Sequence, residues 1–107
     1  MQNLLAKCKI DELGRVLVSK VVRTPLNIKQ GDDVFLTVSE DHVTAILQKP
    51  DEQNPANKKL DELARVVLPK ELRNTLGWNV KDTLGVFADT EESTISFVLI
   101  KKAKNAA

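Results

Sequence analysis

The sequence predicts a mostly β protein built from two ββαββ units in tandem, and three observations lead there. First, Lys9-Ile10-Asp11-Glu12-Leu13-Gly14-Arg15-Val16-Leu17-Val18-Ser19-Lys20-Val21-Val22-Arg23 lines up without a gap on Lys59-Leu60-Asp61-Glu62-Leu63-Ala64-Arg65-Val66-Val67-Leu68-Pro69-Lys70-Glu71-Leu72-Arg73. The same offset of 50 positions recurs at Asp32 and Asp82, and self-similarity at a fixed offset is the mark of a repeated supersecondary unit. Second, the apolar residues fall mostly in short, β-branched runs bounded by turn formers, which is the pattern of strands. Third, 107 residues make about one domain. Two units of half that size bury too little surface to stand apart, so they are expected to share one core.

Each element can be justified in chain order. The first unit, residues 1–49, opens with a strand that runs into the turn at Asp11-Glu12-Leu13-Gly14. Arg15–Val18 is the second strand. Ser19 suits a helix N-cap, and Pro69 at the matching place suits a first helical turn, where its missing N–H costs nothing. Asn27 and Gly77 occupy the matching stop position. Both residue types take left-handed geometry readily, and each is followed by a large apolar residue, Ile28 or Trp78, as in a helix C-cap motif. Pro25 should shorten the first helix. Val34–Val38 and His42–Leu47 then flank Ser39-Glu40-Asp41 as a hairpin. Pro50-Asp51-Glu52-Gln53-Asn54-Pro55-Ala56-Asn57 reads as a linker, residues 50–57. The second unit, 58–102, repeats the order with Arg65–Leu68, a helix, Thr83–Ala88 and Thr94–Ile100, and a short basic tail follows at 103–107. Lys49 matches Lys101 at an offset of 52, so the second hairpin is expected to be two residues longer.

Composition narrows the function. Hydrophobic residues make up 42% and charged residues 29% of the chain, which fits a folded globular protein and not a disordered one. No apolar run reaches membrane-helix length, and MQNLLAKCKI lacks the apolar stretch of a secretion signal, so a cytoplasmic protein is expected. A single cysteine, Cys8, and a single histidine, His42, leave no metal-ligand spacing and no nucleophile-base arrangement. No enzyme, cofactor or small-molecule substrate is expected. Trp78 and the three phenylalanines sit in apolar strands and are read as core.

The net charge of +1 conceals a partition. From Lys7 to Lys29 six basic residues stand against Asp11 and Glu12, whereas Gly31 to Gln48 holds four acids and no Lys or Arg. The second unit repeats the division. If the hairpin tips point away from the helices, one pole is basic and the other acidic, which would steer an anion to one face. Lys20 and Arg23, like Lys70 and Arg73, lie three apart on a helix and so share a side, while Arg15 and Arg65 sit at the turn before. Such a pair is often just a solvated face, but its duplication at fixed offset favours a shared role. Two matched sets related by approximate two-fold symmetry would suit a DNA duplex, and guanidinium forks suit phosphate or guanine edges. Asp11 and Asp61 have an equally good structural reading, each capping its turn and orienting the nearby Arg.

At these residues, most closely Asp-Glu-Leu-Ala-Arg-Val-Val-Leu-Pro-Lys-Glu-Leu-Arg-Asn-Thr-Leu-Gly-Trp in the second unit, the sequence resembles the AbrB-like swapped-hairpin superfamily, which includes SpoVT, the MazE antitoxins and MraZ. The resemblance implies two ββαββ repeats interleaved into one closed barrel, here as a single-chain pseudo-dimer that could pair further into a homo-oligomer. It implies a regulator of transcription, nucleoid-associated and bacterial, that binds double-stranded DNA through Arg15, Arg23, Arg65 and Arg73, with Lys20, Lys70, Lys58, Lys9 and Lys59 on the same basic surface. Cys8 stands where the family has a first-strand arginine, and Thr24 and Asn74 replace a second helix arginine, each removing a cation. Ala64 replaces the usual turn glycine, which leaves the geometry of that turn open. The alternatives are an antitoxin-like protein-interaction module, for which the segment after the last strand is short and polar, and an oligomerisation module with degenerate DNA binding.

Overall fold

A computed structural model describes residues 3–104. The strands are β1 (Asn3–Lys9), β2 (Arg15–Leu17), β3 (Asp33–Val38), β4 (Thr44–Gln48), β5 (Lys58–Lys59), β6 (Arg65–Val67), β7 (Thr83–Asp89) and β8 (Thr94–Lys101). The helices are α1 (Lys20–Arg23), continued by a 3-10 turn at Thr24–Leu26 where Pro25 sits, and α2 (Lys70–Leu76). A six-stranded antiparallel sheet in the order β1-β7-β8-β4-β3-β5 faces a two-stranded sheet, β2-β6.

The pairing interleaves the halves. β1 pairs with β7, with Lys9 opposite Thr83 and Cys8 opposite Leu84; β5 pairs with β3, with Lys59 opposite Asp33 and Lys58 opposite Val34. These are the same contacts with the partners exchanged, fifty positions apart. β2 and β6 meet at Val16 opposite Val66, and β4 and β8 at Ile46 opposite Ser96, so a pseudo-dyad runs through both crossings. The fold is therefore a swapped-hairpin barrel in which each half supplies strands to the other. Strand edges that a lone unit would expose are covered in this way.

The core follows the same symmetry. Ile10/Leu60, Val16/Val66, Val18/Leu68, Ile28/Trp78, Val34/Leu84, Leu36/Val86, Ala45/Ile95 and Leu47/Phe97 are all buried. Small residues in one half face larger ones in the other, which keeps the interior filled without strict identity. Trp78 and Phe97 are core residues, and Phe35 and Phe87 are half-buried.

Both helix stops form as their residues require. Asn27 and Gly77 take left-handed φ of 55° and 73°. Ile28 N–H donates to Arg23 C=O at 3.2 Å and Trp78 N–H to Arg73 C=O at 2.9 Å, closing a Schellman pattern over the last turn. The helix starts differ from expectation. Ser19 occupies the N-cap, but its hydroxyl makes no capping bond and is buried without a partner. Pro69 is the N-cap of α2 and precedes its first turn.

Two further expectations are corrected, and one turn left open takes a definite geometry. The extra length of the second hairpin lies at its open end and not in its turn: Phe35 pairs with Gln48 as Gly85 pairs with Val98, and Val38 with Ala45 as Ala88 with Ile95. Lys49 therefore corresponds to Leu99, and Lys101 belongs to an extension of β8 past a bulge at Thr83/Leu84. The acidic tips do not form one pole, because the antiparallel β4-β8 crossing sends them to opposite ends of the sheet. The turn at Ala64 keeps the geometry of its counterpart: Ala64 takes φ 61° where Gly14 takes 79°, and each N–H donates to the C=O of Asp61 or Asp11.

That equivalence yields a prediction. A Cβ on Gly14 would sit 3.1 Å from Arg73 Nη2, so the guanidinium must give slightly. Since Ala64 already occupies the matching turn, Gly14→Ala should cost only about 1 kcal/mol, lowering Tm by roughly 5 °C with the fold intact. Loss of the cooperative melt would show that Arg73 cannot move.

Candidate nucleic-acid interface

The turn before β2 is held by one carboxylate. Asp11 Oδ1 accepts the backbone N–H groups of Leu13 (2.9 Å) and Arg15 (2.8 Å), and Oδ2 accepts Arg15 Nε at 2.8 Å. Asp61 makes the same three contacts with Leu63 and Arg65, at 2.9, 2.8 and 2.8 Å. The aspartate thus caps its turn and orients its arginine, as its place in the sequence suggested. At Asp11 desolvation opposes ionisation, but the bonds from Arg15 and Leu13 outweigh it and hold the carboxyl below its usual range. At Asp61 the backbone N–H of Arg65 leads the same downward shift.

β2 and β6 then place the two arginines together. Along each strand the middle residue, Val16 or Val66, is buried, while Arg15, Leu17, Arg65 and Val67 point outward. Arg15 lies opposite Val67 and Leu17 opposite Arg65, which makes the arginines diagonal neighbours with Cα atoms roughly 7–8 Å apart. Both guanidinium groups therefore leave the same side of the barrel, one on each side of the pseudo-dyad. Their side chains are 27% and 30% exposed. Only Nε is engaged by the carboxylate, and the two Nη groups of each make no hydrogen bond among the described residues. Leu13 and Leu63 stand exposed at the tips of the same turns.

Lys20 and Lys70 open the two helices, exposed and without an ion pair among the described residues. Arg23 and Arg73 do not share that exposure, as helical spacing alone had suggested. Arg23 Nε donates to Val18 C=O at 2.6 Å and Nη1 to Ile28 C=O at 3.3 Å, and Arg73 Nε donates to Leu68 C=O at 3.0 Å. Each guanidinium ties the end of a β2-type strand to its helix, and that of Arg73 packs on Gly14 of the other half. Lys9 lies on β1 and Lys58 and Lys59 on β5, the two edges of the large sheet, away from the dyad.

Sequence reasoning missed a clamp at the C-terminal side of α2. Asp82 is fully buried and its Oδ2 accepts Asn79 N–H and Lys102 Nζ, each at 2.8 Å, while Oδ1 accepts Ala103 N–H at 2.7 Å. Lys102 Nζ also donates to Gly77 C=O at 2.8 Å. Desolvation opposes ionisation of Asp82, yet Lys102 and the two backbone donors hold its carboxyl below the usual range. Burial pushes the Cys8 thiol up to about 11, so it stays protonated near neutrality. No group of His, Cys, Asp or Glu among the described residues is arranged to hold a metal, and none of their helices is long and apolar enough to cross a membrane.

Residues 58–106 match a family described as antidote-toxin recognition MazE, bacterial antitoxin. Over 47 residues the chain is 47% identical to the transition state regulatory protein AbrB of Bacillus subtilis (strain 168), a match that covers 44% of each protein. The chain thus spans less than half the length of that relative. A solution structure of a Pyrococcus horikoshii protein aligns over 96% of this chain and 99% of that one, at 21% identity and a TM-score of 0.44.

Proposed function

We propose, from the match of residues 58–106 to the MazE antitoxin family and of 47 residues to AbrB, that the chain is a regulator of transcription that binds double-stranded DNA across the pseudo-dyad. The observation that supports this most is the shared outward face of Arg15 and Arg65. Each is pre-oriented through Nε by its aspartate, and each keeps its Nη groups open for an anion. A guanidinium fixed at one edge loses less side-chain freedom on meeting a phosphate than a free one. Lys20 and Lys70 extend the cationic surface at the helix starts. Arg23 and Arg73 act through position, holding strand and helix together beneath it.

The protein reads phosphate and duplex shape more than base edges, because the face is low, two-stranded and lacks a helix long enough to enter the major groove. Leu13 and Leu63, exposed beside the arginines, supply apolar contact on the same side. With about four to six phosphates neutralised, log K should fall against log salt with a slope of roughly −4 to −5. Gel-shift titrations on AT-rich and random duplexes at two salt concentrations test this. Binding that ignores salt would overturn it, and capture of a protein partner without duplex binding would favour the antitoxin-like reading instead.

A further inference from the structure

A second concentration of positive charge lies off the dyad, in a cleft of about 320 Å³ where β1, β7 and β8 end. Five lysines line it: Lys9, Lys81, Lys101, Lys102 and Lys104. Lys9 and Lys101 stand opposite Thr83 from its two sides, so three adjacent strands present them as one row. Lys102 is committed to Asp82 and Gly77. Among the described residues Lys81 pairs only with the exposed Glu12, at 3.8 Å. Lys9, Lys101 and Lys104 have no acidic partner among the described residues. Gathering like charges in one concavity raises the local potential and draws in an anion.

The opposite flank is different. The corresponding cleft beside β3 and β5 is lined by Asp33, Ala56, Asn57, Lys58 and Lys59. Asp33 takes the place of Thr83, and Gly31 stands at the position of Lys81. Linker residues there do work that lysines do not do on the other side: the Asn57 amide pairs with both N–H and C=O of Leu36, at 2.8 and 2.9 Å, and stands in for a strand. The barrel is symmetric in its backbone and polarised in its charge.

The lysine cleft adjoins the arginine face. Lys81 N–H donates to Ile10 C=O at 2.7 Å, and Ile10 leads directly into the Asp11 turn that carries Arg15. We propose that this cleft takes a further run of duplex phosphates on one flank only, so that the pseudo-symmetric barrel grips DNA asymmetrically. This rests on the DNA-binding reading above and deepens it. A homodimer would repeat the cleft on both sides; a single chain with unlike halves does not, and it can distinguish the two directions along a site.

The test uses the full chain on a duplex long enough to pass both flanks, read by fluorescence anisotropy over a salt series. Lys81→Ala/Lys101→Ala/Lys104→Ala leaves the Lys102 clamp intact and should melt like the parent. Its salt slope should fall by roughly 2 to 3, with affinity down on the order of tenfold or more. Lys59→Ala, on the other flank, should change affinity by less than about twofold. An unchanged slope in the triple variant overturns the proposal, as does a loss in Lys59→Ala as large per lysine removed. Failure of the parent chain itself to bind duplex would sink the DNA-binding reading, a result visible without any variant.

Discussion

Asp82→Ala is expected to lower stability by about 3 kcal/mol, a fall in Tm of roughly 10–20 °C. The carboxylate is fully buried and satisfies Asn79, Ala103 and Lys102 at once, so its removal strands two backbone donors, leaves Lys102 with Gly77 C=O and loosens the chain after β8 from the end of α2. Unpaired, partly buried backbone donors at Asn79 and Ala103, more than the lost ion pair itself, set the size of the effect. Asp32 is an internal control. It accepts Lys29 N–H at 2.8 Å but has no lysine partner among the described residues and is only half-buried. Asp32→Ala should therefore cost nearer 1 kcal/mol. Equal losses in the two variants would show that the lysine clamp adds nothing.

The pH dependence follows from the direction of the shift. The folded-state pKa of Asp82 is lowered, so its contribution is present above the unfolded value near 4 and drains away as pH falls through the lower folded value. Asp11 and Asp61 are shifted the same way and add to the same acid limb. Chemical denaturation at neutral pH and in that acid range should thus show the gap between the parent and Asp82→Ala closing as pH falls.

The clamp also marks where sequence reading stops. What was legible was local or repeated. The Asp11 and Asp61 turns lie within four residues of their arginines, and the left-handed stops at Asn27 and Gly77 need only their own residue type and the apolar residue that follows. The fifty-residue offset carried over to strand pairs with partners exchanged, because one core must bury both copies of each apolar position. The Asp82–Lys102 contact joins residues twenty apart, across a hairpin whose register is set by the β-ladder. Matching Lys49 to Lys101 followed residue identity, whereas the ladder aligns Lys49 with Leu99. Helical spacing placed Lys20 and Arg23 on one side of the helix correctly, but it carries no information on the free carbonyls of Val18 and Ile28 that draw the guanidinium inward. Lysine clustering at the end of β8 was equally hidden, since its members come from β1, from the turn before β7 and from the end of β8 with the residues after it.

The largest expected effect on binding is that of Arg15→Ala/Arg65→Ala, which should weaken duplex affinity roughly a hundredfold or more, at about 1–2 kcal/mol for each charge-assisted contact. Either single variant should lose about tenfold, because the two arginines face one duplex from equivalent places across the dyad. Stability should hardly move. A partly exposed ion pair contributes about 0–1 kcal/mol, and Asp11 and Asp61 keep both backbone bonds that shape their turns after the side-chain contact is gone. The double variant should therefore melt within a few degrees of the parent while its salt slope falls by about 2. Paired measurement of Tm and affinity separates the possibilities. Lost binding with an unchanged melt assigns the arginines to the duplex, lost binding with a collapsed melt makes them structural, and unchanged binding would move the interface off the dyad altogether.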